Sequence, residues 1–63
     1  MVEVDREQVE LLAEIVQTVG VSEACRQSGL GRAAVLGIVA RGACMKAQAA
    51  LLREFFARRR TAA

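Results

Sequence analysis

Residues 21–42 read VSEACRQSGLGRAAVLGIVARG, and this stretch decides the fold. It divides into two short helical segments around Gly29. Ala24 and Cys25 precede that glycine by five and four positions, Leu30 follows it, and Val35 and Ile38 stand six and nine positions after it. Small residues on the first segment let two helices approach closely. Glycine supplies the positive φ that ends the first helix, and the apolar residues of the second segment close the contact. The stretch therefore predicts a helix, a tight turn and a second helix.

These residues resemble the helix-turn-helix of phage- and plasmid-type repressors, the broad Cro/repressor-like superfamily. The resemblance reaches outward over LLAEIVQTVG (residues 11–20) and ACMKAQAALLREFF (residues 43–56), the latter similar to the helix that closes such domains. It implies an all-α fold, a compact bundle of about four helices containing a helix-turn-helix. It also implies a small bacterial or phage-encoded transcriptional regulator that binds double-stranded DNA as a homodimer.

Sixty-three residues make one domain at most. A chain this short buries only about 60% of the surface it exposes unfolded, so a lone copy is marginally stable. Hydrophobic residues nevertheless make up 54%, with no Pro, Trp or Tyr and only two Phe. Aliphatic, alanine-rich, proline-free sequence favours helices, and the surplus apolar surface points to a second copy. The net charge of +2 hides an asymmetry. Residues 1–30 balance at −4 (six acids against Arg6 and Arg26), while residues 31–63 balance at +6 (seven bases against Glu54). A phosphate backbone would be met by the C-terminal half.

Several function classes are excluded by what the chain lacks. It has no histidine, no glycine-rich phosphate loop and no serine or cysteine paired with a base, so catalysis is not expected and no cofactor is called for. Cys25 and Cys44 are nineteen apart without a CxxC, too few thiolates for a structural zinc. Spacing alone leaves a disulfide open; the need for a small residue at Cys25 favours buried thiols. The N-terminus is acidic where a signal peptide needs bases, and the uncharged run at residues 33–40 is far below the ~20 residues of a membrane span. The expectation is a cytoplasmic protein, nucleoid-associated when bound to DNA, with no membrane contact.

Around the motif, residues 1–4 read as a short tail. Asp5 suits the N-cap of a first helix, with Gln8 in the capping-box position. Val9, Leu12, Ile15, Val16 and Val19 share one face of that helix, Leu11 flanks them, and Gly20 ends it. Ser22 is the expected N-cap of the second helix, and Glu23 complements its dipole. The third helix spans residue 31 or 32 to 40 and is stopped by Gly42. Its inner face is Val35, Ile38 and Val39, and its outer face Arg32, Ala33, Leu36, Gly37 and Ala40. The fourth helix runs from residue 43 to about 59, with one stripe of Met45, Ala49, Leu52 and Phe56 and a second of Leu51 and Phe55. Met45 reads as a core filler. The double width predicts a dimer surface at Leu51, Leu52, Phe55 and Phe56. Arg58, Arg59 and Arg60 complement the helix end or lie along phosphates, two roles that sequence leaves even.

In a helix-turn-helix the outer face of the third helix enters the major groove. Here the expected DNA-binding residues are Ser22, Arg32, Ala33, Leu36, Gly37, Arg41 and Lys46. Readers of base edges carry Arg, Asn, Gln, Ser or Thr, whereas this face offers one arginine and then apolar side chains. Two accounts stand. Either Arg32 reads guanine while Ala33 or Leu36 touches thymine methyls and Gly37 permits close approach, or the apolar faces of helices 3 and 4 meet a protein partner, as in an adaptor or anti-activator.

Overall fold

A computed structural model describes residues 1–62, with side chains for residues 1–59. Its elements run β1 (Val2–Glu3), α1 (Arg6–Val19), α2 (Val21–Ser28), α3 (Arg32–Arg41), β2 (Ala43–Cys44) and α4 (Lys46–Ala62). The fold is an all-α bundle of four helices, as the sequence predicts, joined by a two-stranded ribbon that it does not.

Asp5 caps α1 as expected: its carboxylate accepts from the Glu7 amide at 3.2 Å. Gly20 both ends α1 and begins α2, at φ 92° and ψ 163°. Its amide donates to Val16 O at 2.9 Å and its carbonyl accepts from Ala24 at 3.0 Å. This backbone region is open essentially to glycine alone, so one residue makes the whole junction. Ser22 is consequently not the cap. It lies exposed in the first turn of α2, two residues past the capping position that Gly20 holds.

Gly29 takes the left-handed conformation (φ 77°) and its amide bonds Cys25 O at 2.9 Å. Ser28, buried beneath the turn, donates its hydroxyl to Ala24 O at 2.7 Å and accepts from the Leu30 amide at 3.3 Å. The turn's polar groups are thereby satisfied internally, and Leu30 drops into the core.

The core is Leu12, Ala24, Leu30, Ala34, Val35, Ile38, Cys44, Leu52, Phe55 and Phe56. Leu12, Val35, Ile38 and Leu52 are fully buried, each stabilising by roughly 1.5–3 kcal/mol relative to exposure. Val9, Ile15, Val16, Val39 and Ala49 pack against them half-buried. Leu11 and Val19, at 40% and 44% exposed, stand outside it.

Three expectations need correcting here. Residues 1–4 are not a tail, because Val2 pairs with Cys44 and Glu3 with Ala43 in an antiparallel ribbon, and the Val4 amide donates to Gly42 O at 2.8 Å. The fourth helix therefore starts three residues late, since residues 43–44 are spent on that ribbon. Met45, 61% exposed, is no core filler. It precedes α4, accepts from the Ala49 amide at 3.0 Å and donates its own N–H to Gln48 Oε1 at 3.1 Å, the backward half of a capping box.

Both cysteines are free thiols, Cys44 buried and Cys25 half-buried. Among the described residues no helix is long and apolar enough to cross a membrane, and no group of three or more His, Cys, Asp or Glu is placed to hold a metal.

Candidate nucleic-acid interface

The ten-residue α3 turns Ala34, Val35 and Ile38 into the core. That leaves Arg32, Ala33, Leu36, Ala40 and Arg41 exposed on the other side, with Gly37 half-buried between them. The expected outer face is thus the face left free. Gly31 begins α3 in an extended conformation with no side-chain cap, so the first amides of the helix are left to solvent or a ligand.

Arg41 closes the far end of this face. Its Nη2 lies 3.2 Å from the position a Cβ would take on Gly37, so the guanidinium folds back along the helix over the bare glycine. Together with Met1, Ala33, Met45 and Gln48 these two residues border a shallow depression of about 190 Å³. The ribbon explains the company. Val2 pairs with Cys44, so the next residues in that register, Met1 and Met45, flank α3 from one side. Lys46, exposed, follows directly at the head of α4.

Electrostatics divides the surface. Among the described residues the ion pairs are Arg6–Glu10 at 3.8 Å and Glu23–Arg26 within α2. Arg32, Arg41 and Lys46 belong to neither. Glu23 receives two bonds from Arg26, the Nε one at 2.8 Å, and one from Gln27 Nε2 at 3.3 Å. These donors favour its charged form and lower its pKa from 4.5 to about 2. Glu7 and Glu14 instead border a larger groove of about 580 Å³ between α1 and the end of α4. That groove shares no lining residue with the depression on α3.

Of the residues expected to contact DNA, then, Ala33, Gly37 and Arg41 border one depression, and Lys46 follows Met45 of its rim. Arg32 and Leu36 are exposed on the same helix, and Ser22 is exposed on α2 away from both hollows. Sequence reasoning missed Met1, Met45 and Gln48 at this face. A two-residue strand has no periodicity to betray it; the ribbon brings Met1 and Met45 there, and Gln48 joins them from the first turn of α4.

The expected dimer surface fares differently. Leu52, Phe55 and Phe56 lie in the chain's own core, at 0%, 5% and 8% exposed, and of these Phe56 alone reaches a surface groove. The two rings are tilted against each other at 5.1 Å, and Arg59 lies over Phe55 at 5.5 Å from its centroid. Leu51 alone of the four is exposed, at 42%. Arg60's side chain lies outside the described residues.

Comparison with protein-family models, curated proteins and solved structures gives no match.

Proposed function

We propose that this chain is a small DNA-binding transcriptional regulator of the repressor kind, laying α3 in the major groove of duplex DNA. The observation that supports the reading is the uncovered outer face of α3, with Arg32 at its head and Arg41 at its foot, free of the ion pairs seen elsewhere. Arg32 is the base reader, its guanidinium matched to the O6 and N7 of a guanine. Ala33 and Leu36 meet thymine methyls, and Gly37 lets the groove wall approach. Arg41, Lys46 and the Ser22 end of α2 hold phosphates. The body measures 30 × 22 × 18 Å, so two copies side by side suit half-sites about 34 Å apart. Occluding a promoter is then how such a protein represses. Its place of action is the cytoplasm, on the nucleoid.

The test is selection of a random duplex library by the purified protein at about physiological salt. An enriched, two-fold symmetric site supports the reading; a library that stays random removes it. One observation favours a second reading, a helical adaptor or anti-activator. Leu36 is 42% exposed on the helix whose Ala33 and Gly37 border a depression with exposed Met1 and Met45, apolar surface suited to a protein. Under that reading Leu36→Glu abolishes partner binding and Arg32→Ala leaves it intact.

A further inference from the structure

The groove of about 580 Å³ is bordered by α1, through Leu11, Ile15 and Val19 with Glu7 and Glu14, by Phe56 and Arg59 of α4, and by the uncharged Gln27 of α2. Its apolar lining is open, with Leu11 and Val19 each more than a third exposed. Neither Glu7 nor Glu14 takes part in the ion pairs found among the described residues, Arg6–Glu10 and Glu23–Arg26. Arg59 is held on the α4 wall by the face of Phe55, 5.5 Å away. One wall is acidic, the other basic, and the floor is aliphatic and aromatic.

We infer that this groove is the contact between two copies of the chain. A two-fold axis lying along its length exchanges the walls. The acids of one copy's α1 then face Arg59 of the other, twice over, while the two floors meet. An axis across the groove sets acid against acid and is disfavoured. The opposite walls thus make the surface complementary to itself, which is what selects a second copy as occupant. The inference supplies a surface for the pairing in the proposed function: it keeps Phe56 at its border and replaces Leu52 and Phe55, which the core has taken, with Leu11, Ile15 and Val19. It uses no residue of the α3 face.

Sedimentation equilibrium without DNA tests it, at about 100 µM because a small, polar-rimmed contact stands at the weak end of specific interfaces. The expected result is a mass near twice 6.8 kDa, falling to the single-chain value as salt rises. Glu7→Arg with Glu14→Arg, and separately Arg59→Glu, should each give the single-chain mass, and the combined reversal should restore the pair, because both walls then carry exchanged signs. Leu11→Asp, at an exposed position, should also separate the copies. Dilution of the unsubstituted protein, followed by amide chemical shifts, should move signals around Leu11, Ile15, Val19 and Phe56, which needs no variant. A single-chain mass at that concentration, or a pair indifferent to both reversals and to Leu11→Asp, overturns the inference. Because no DNA is present, its failure is separate from failure of the DNA reading.

Discussion

The guanidinium of Arg41 lies across the bare backbone of Gly37, four residues earlier on α3, 3.2 Å from where a methyl group would stand. The obstacle to a side chain there is the far end of a flexible, exposed arginine. Gly37→Ala should therefore stabilise the protein by about 0.5–1 kcal/mol, the helix-propensity difference, while Arg41 swings outward. Urea unfolding checks the gain. A loss would mean that Arg41 is fixed more firmly than its exposure suggests.

Ser28 holds the turn before α3 from beneath. Ser28→Ala removes the acceptor of the Leu30 amide and leaves that donor buried. The expected cost is about 1–3 kcal/mol, seen as a lower urea midpoint at unchanged slope.

Gly20 is the hinge between two helices and stands at φ 92°, ψ 163°. Nothing crowds the space a Cβ would fill, so backbone strain is the whole penalty. Gly20→Ala should cost about 1–3 kcal/mol. A drop in thermal midpoint with an unchanged far-ultraviolet spectrum is the signature.

Glu23 gives stability a pH dependence. Its pKa falls from 4.5 to about 2 in the folded chain. The stabilisation is therefore complete above about 4.5 and is lost as pH drops toward 2. The difference between the protein and Glu23→Gln should be constant above pH 5, shrink below 4.5 and vanish near 2. Because the pair lies at the surface, added salt should shrink it at every pH.

For DNA, the two kinds of base should separate. Lys46→Ala should weaken binding to all sequences alike and reduce the salt slope by about one unit. Arg32→Ala should relax preference at one base position, costing about 1–3 kcal/mol. Fluorescence anisotropy across salt concentrations and site variants measures both. Equal effects of the two substitutions would remove the assignment of Arg32 as reader.

Local signals carried most of the architecture. Asp5, Gly20, Gly29 and Gly42 bound the first three helices because caps and positive φ act within a turn. Leu12, Val35 and Ile38 were legible as core from helical spacing alone. What sequence missed is non-local. The ribbon joins residues forty or more positions apart, and its two-residue strands leave no alternation to read. Phe55 and Phe56 sit about 100° apart on one helix, so a wide apolar face looks the same whether the chain or a second copy covers it. Here the end of α4 nestles into its own bundle, and the surplus apolar surface appears instead on α1, at Leu11 and Val19. The outer face of α3 was readable residue by residue, yet its methionine border was not.

The ribbon also governs how the protein can be handled. Met1 stands at the rim of the hollow on α3. Any affinity tag joined ahead of it is threaded past Ala33, Gly37 and Arg41 and competes with whatever α3 binds. A tag placed after α4 keeps that face clear, and binding measured with the two tag positions should differ in favour of the latter.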